Sequence, residues 1–162
     1  MIKVTVFARF KTCMGDVNLI DVLSDIRNGK YATSINRIRA CMDKGDLEAA
    51  DMLKKALPAI TISATYRGQR LVEYMTAYNP LIILDFDDLK KEDLPHLLAL
   101  VREAVYTVAC WISPRGHGIK VIVYPVVGLE LVPQNHPAIY KRVKDWYQRL
   151  LGTKADTSGS DA

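Results

Sequence analysis

Cysteine is scarce in this sequence: Cys13, Cys41 and Cys110 are the only ones in 162 residues. They are odd in number, far apart and form no Cys-x-x-Cys. A disulfide framework or a zinc ribbon is therefore not expected, and a reducing cytosol is the natural setting. Histidine is equally sparse. His96, His117 and His136 include no pair at ligand spacing, and we assign them no role. No apolar run approaches membrane-spanning length, and the N-terminus reads as a strand rather than a signal peptide. The expectation is a cytoplasmic chain with no membrane partner. Internal repeats and low-complexity linkers are missing. So is the spacing Gly-x-x-x-x-Gly-Lys-[Ser/Thr], which excludes a P-loop.

What is present suits one compact domain over 1–162 with a sizeable core. Hydrophobic residues make up 49% and charged residues 25%, both ordinary globular values. The net charge of +4 and pI near 8.9 tolerate a nucleic-acid partner without demanding one. Arg37, Arg39, Lys54 and Lys55 fall on predicted helices and read as a solvated face rather than a nucleic-acid patch.

Hydrophobic periodicity predicts a strand over residues 2–7 and a loop over 11–15. Helices follow after Asn18, over 33–42 and over 47–57. Residues 59–66 alternate Ile60, Ile62, Ala64 and Tyr66 against Thr61, Ser63 and Thr65, the pattern of a half-exposed strand. Residues 70–78 fit either a helical turn or an irregular loop. Beyond the next strand come a helix with Leu94, Leu97, Leu98, Val101 and Val105 inward, a buried strand over 105–112, a strand over 117–124 and a helix over 137–151. The chain thus divides into an N-terminal part, 1–57, of one strand and helices, and a sheet-and-helix part, 58–151. After Gly152 it turns small and polar, so Asp156 is expected to be unpinned.

Two stretches carry chemistry. In Leu81-Ile82-Ile83-Leu84-Asp85-Phe86-Asp87-Asp88, an apolar run leads into Asp85 and Asp87. Residues two apart on a strand share a face, so both carboxylates aim at one point at the strand's C-terminal edge. Convergent carboxylates repel unless a cation or a shared proton lies between them. Hard oxygen ligands of this kind suit Mg or Mn. The plainer alternative is that these acids only turn a buried strand into solvent.

The second stretch is Ser113-Pro114-Arg115-Gly116-His117-Gly118-Ile119-Lys120, between two strands. Its glycines allow close backbone approach, turn N–H groups can form an anion-binding concavity, and Arg115 and Lys120 add cationic donors for phosphate. The plainer alternative is a hairpin turn with charged tips, in which His117 is merely solvated. Taken together, the carboxylates would hold metal and the loop a triphosphate, with Asp156 returning to the metal. That set suits nucleotidyl or phosphoryl transfer by two-metal chemistry.

In order along the chain, Leu57-Pro58-Ala59, the hydrophobic Asp85-Phe86-Asp87, the loop from Ser113 to Lys120 and Asp156-Thr157-Ser158-Gly159-Ser160-Asp161 resemble the archaeo-eukaryotic primase superfamily. They are most similar to the primase-polymerase-like N-terminal domain of virulence-associated protein E-type proteins from bacterial mobile elements. The resemblance implies an α/β (α+β) fold, with a primase-like mixed sheet flanked by helices after an N-terminal helical segment. By position, it implies catalytic and metal carboxylates at Asp85 and Asp87 and a third acidic motif at Asp156. Ser113, Gly116, Gly118 and Lys120 match the nucleotide-binding loop, to which Arg115 adds a donor. The implied function is DNA primase or polymerase activity, with Mg or Mn as cofactor and nucleoside triphosphates and DNA as partners. Two departures stand out. Lys120 falls where many primases have a histidine, and the chain ends where the family continues with an arginine and a further strand. The expectation is a piece of a longer protein with a helicase-like ATPase in the same chain. Two other readings compete: a catalytically inactive DNA-binding module fused to that helicase, and a haloacid-dehalogenase-type phosphatase with Asp85 as nucleophile. For the phosphatase, Asp88-Leu89 replaces the usual Gly-Thr.

Overall fold

The computed structural model describes residues 1–9, 11–157 and 160. The chain divides into two compact units, Met1–Asn79 and Pro80–Ala162. Together they form an α+β protein, in which every strand pairing among the described residues is antiparallel.

In the first unit, β1 (Lys3–Ala8) lies between β2 (Thr12–Asn18) and β3 (Ala59–Thr61). β2 occupies the stretch expected to be a loop. It is an exposed edge strand, so no buried face imposes alternation on its sequence. Helices α1 (Leu19–Arg27), α2 (Ala32–Asp43) and α3 (Leu47–Ala56) follow, close to their expected bounds. α3 starts where Asp46 Oδ1 accepts the Ala49 N–H at 3.0 Å, satisfying one of the helix's orphan donors.

The single half-exposed strand expected over 59–66 is two strands. β3 ends at Thr61, and β4 (Ala64–Tyr66) pairs with β5 (Met75–Tyr78). Its polar side is buried as well: Thr61, Ser63 and Thr65 are shielded from solvent. The threonine hydroxyls are satisfied inside the unit, as buried polar groups must be. Thr61 Oγ1 donates to the Ala64 carbonyl at 2.8 Å, and Thr65 Oγ1 lies 2.7 Å from Thr76 Oγ1. Thr5 Oγ1 accepts the Tyr66 N–H at 2.8 Å. Alternation here separates two kinds of buried contact rather than core from water.

In the second unit, β8 (Ile119–Val123) is the central strand, with β6 (Ile82–Phe86) on one side and β7 (Thr107–Ile112) on the other. Helices α4 (Leu94–Glu103) and α5 (His136–Leu151) supply the rest of its core. Leu94, Leu97, Leu98 and Val101 from α4 join Ile139, Tyr140, Val143, Tyr147 and Leu151 from α5. They cluster with Ile82, Leu84 and Phe86 of β6 and Ile119, Val121 and Val123 of β8. A sheet with helices packed against it is thus observed, and its strand β6 carries Asp85. Val105 was expected inside both a helix stripe and a buried strand, but it lies between α4 and β7 and is 83% exposed. β7 pairs with β8 alone among the described strands, so its β-branched and aromatic composition reflects an edge strand. Among the described residues, no helix is long and apolar enough to cross a membrane.

Candidate functional site

β6 sorts its side chains by alternation. Ile82, Leu84 and Phe86 enter the helix-packed core, which leaves Ile83 and Asp85 on the opposite face. Asp87 follows one residue beyond the strand and is exposed. Asp88 adopts φ 56°, a left-handed conformation that aspartate tolerates better than most residues. It turns the chain toward α4, which is the plain role open to an acid at a strand end. Leu89 N–H then donates to the His117 carbonyl at 2.8 Å, which fastens the end of the Asp-x-Asp stretch to the glycine loop.

Register brings the two chemical stretches together. Asp85 stands directly across from Lys120 on β8, and Lys120 Nζ forms an ion pair with Asp85 Oδ2. The two side chains are only 23% and 16% exposed, in that order. Removing one partner of a pair this enclosed costs more than the ~0–1 kcal/mol of a surface bridge. The upper bound is the ~3–5 kcal/mol of a fully buried one. Asp85 Oδ1 is buried and has no hydrogen-bond partner among the described residues. An ionised oxygen without a partner is costly, so this atom invites a cation or a donor.

The loop is a tight turn. Gly116 N–H donates to the Ser113 carbonyl at 2.9 Å, Pro114 supplies the second position, and Gly116 has φ 83°. Ser113 N–H donates to the Gly118 carbonyl at 2.8 Å and closes the base of the loop. The Gly116 N–H is therefore spent inside the turn and is not one of the anion donors expected from the sequence. Gly118 is required by close approach. A Cβ there would lie 2.5 Å from the Phe86 carbonyl oxygen, 2.9 Å from Asp87 Oδ1 and 3.1 Å from Ser113 Oγ. Asp87 and buried Ser113 thus converge on the point where β8 meets the end of β6. Arg115 sits in the turn itself and is partly buried. His117, expected to be solvated, has a buried Nε2 with no partner among the described residues.

Asp156 is placed by its backbone. Its N–H donates to the Asp85 carbonyl at 2.8 Å, and its own carbonyl accepts from Tyr140 Oη at 2.5 Å. Ala155 N–H donates to Gln148 Oε1 at 3.0 Å. The tail expected to be unpinned is held as far as Thr157, because α5 residues reach out to its polar backbone. Nothing in the composition of Lys154-Ala155-Asp156-Thr157 signals this. The Asp156 side chain is exposed and its Oδ1 accepts the Thr157 N–H at 2.5 Å. Asp161, the last acid of the tail motif, lies outside the described residues. Among the described residues, no group of three or more His, Cys, Asp or Glu side chains is close enough to hold a metal ion. What the end of β6 offers is Asp85, with one buried oxygen that lacks a partner among the described residues, and Asp87 one residue beyond the strand. That fits a Mg or Mn ion, which commonly takes one or two carboxylates and completes its shell from substrate phosphates and water.

Trp111 was not singled out by sequence reasoning. It pairs with Lys120 across β7 and β8, so Asp85, Lys120 and Trp111 form one row over three strands. The signal was its position two residues before Ser113, on the strand face opposite Cys110 and Ile112.

The chain belongs to the family described as BT4734-like, N-terminal domain, which matches residues 52–162 and so covers every candidate site residue. No curated protein and no solved structure matches it.

Proposed function

We propose that this member of the BT4734-like N-terminal domain family is a DNA primase- or polymerase-like nucleotidyltransferase that binds a nucleoside triphosphate on the Asp85–Lys120 face. The observation that carries the reading is the enclosed Asp85–Lys120 pair with its orphaned Oδ1, set against the glycine loop. Ion pairing with Asp85 keeps Lys120 beside the loop, where its ammonium would donate to a bound phosphate. Asp85 and Asp87 would hold Mg or Mn, and Asp156 stays adjacent through its backbone bond to Asp85. When bound, such ions activate a primer 3′-hydroxyl and stabilise the leaving pyrophosphate. Ser113 and Arg115 supply a hydroxyl and a guanidinium at the turn. A DNA template, a helicase-like ATPase in the same full-length chain and a cytoplasmic setting complete the proposal.

One observation favours a second reading, a catalytically inactive DNA-binding module. Lys120 and Asp85 already neutralise each other, so the pair is electrostatically complete without a ligand. Primer extension with Mn in the full-length protein separates the two. Asp85→Asn and Asp87→Asn should each abolish incorporation while leaving the fold intact. Normal extension by either variant would refute the metal assignment, and no extension by the wild type would favour the inactive module.

A further inference from the structure

We infer that Trp111 is the platform on which the base of the bound nucleotide stacks, so that the site selects nucleotides over other polyphosphates. The inference rests on the nucleotide-binding reading above and adds to it a residue that reads the base.

The geometry is that of the sheet. Cys110 and Ile112 pack against the core formed with α4 and α5, so Trp111 between them takes the other face. There it stands directly across from Lys120, which stands across from Asp85. One strand spacing, about 5 Å, separates Trp111 from Lys120. In a nucleotide, a ribose separates the base from the phosphates. Phosphates at Lys120 and the glycine loop therefore leave the base at the neighbouring strand. Ala109 is the next residue on that face of β7 and stands across from Ile122, which is buried, so the part of the face nearer the loop, at Trp111 and Lys120, is the more open. The indole is partly exposed. Trp146, the other tryptophan, makes edge-on contacts with Tyr106 and Tyr147, whereas Trp111 makes no ring contact among the described residues. An aromatic ring beside cationic phosphate donors is the combination that binds nucleotides without reading base identity. The expected selectivity is thus for a base of any kind.

The test uses the full chain with ATP, dATP and inorganic tripolyphosphate as probes, each with Mn. Trp111→Ala should weaken ATP and dATP binding on the order of tenfold or more, as loss of a stacking platform does, and leave tripolyphosphate binding unchanged. Trp111→Phe should restore most of the loss. In a Trp146→Phe background, the remaining indole is Trp111, and ATP should quench its fluorescence while tripolyphosphate should not. The quenching measurement stands even where the alanine variant misfolds. Equal losses for all three probes, or no loss and no quenching, would overturn the inference while leaving the phosphate site standing. Failure of wild-type protein to bind any of the three would remove the nucleotide reading and this inference with it.

Discussion

Gly118 is the position where the account is most exposed to a single substitution. Gly118→Ala places a methyl group 2.5 Å from the Phe86 carbonyl oxygen, at least half an ångström closer than side-chain carbons are found in practice. That oxygen belongs to a backbone fixed by pairing of Phe86 with Ile119, so it cannot swing away as a side-chain end could. Asp87 Oδ1 and Ser113 Oγ crowd the same methyl at 2.9 and 3.1 Å. Overpacking of this kind costs typically ~1–3 kcal/mol. For a chain of this length, 2 kcal/mol corresponds to a fall in Tm of about 4–8 °C. Both tryptophans, Trp111 and Trp146, lie in the second unit, so tryptophan fluorescence follows the melting of that unit alone. A Tm within about 1 °C of wild type would refute the close approach of Gly118 to the end of β6, and with it the convergence of Asp87 and Ser113.

Lys120→Ala should weaken triphosphate binding more than DNA binding, because a lysine at a glycine turn donates to phosphate rather than reading a groove; equal losses in the two titrations would count against it. Asn79→Ala strips two carbonyls of their donor, since Asn79 Nδ2 bonds Lys3 O at 2.7 Å and Ile62 O at 3.0 Å. The cost should be ~1–3 kcal/mol by urea denaturation followed by far-ultraviolet circular dichroism, and a change near zero would contradict the contact. Burial pushes the Tyr147 hydroxyl above its usual value, an effect opposed by its hydrogen bond to Thr107 at 2.7 Å. The folded form therefore holds its proton more tightly than the unfolded one. This contribution is complete below about pH 10 and is lost as pH rises through the raised folded value. Tyr147→Phe should remove that part of the alkaline decline in stability, and an unchanged decline would argue against the burial.

Much of the fold was legible where an apolar stripe packs on one side of an element. Leu19, Ile38 and Ala50 are the buried residues of α1, α2 and α3, and α5 buries Ile139, Val143 and Tyr147 of its expected stripe. Leu47 of α3 and Trp146 of α5 are exposed, however, and His136, Tyr140 and Leu151 are buried without having been expected to be. Illegible elements were those in which burial and polarity part company. β2 is exposed along most of its length, and the hydroxyl face of residues 61–65 is buried, with Thr61 and Thr65 bonded to partners within the unit. At the site, alternation along β6 foretold that Asp85 faces away from the apolar core, whereas Asp87 lies one residue past the strand's end. It could not foretell that Lys120 would be directly across, because register depends on the partner strand. The backbone hold on Asp156 depends on Tyr140 and Gln148, which α5 presents from an otherwise ordinary helix.

The most direct test of the central claim is calorimetric titration of the full chain with a nucleoside triphosphate, with and without Mn, in wild type and Asp85→Asn. The account predicts that Mn tightens nucleotide binding at least about tenfold in the wild type, equivalent to ~1.4 kcal/mol, and has no such effect in the variant. Nucleotide binding that is indifferent to Mn, or that responds equally in both proteins, would contradict it.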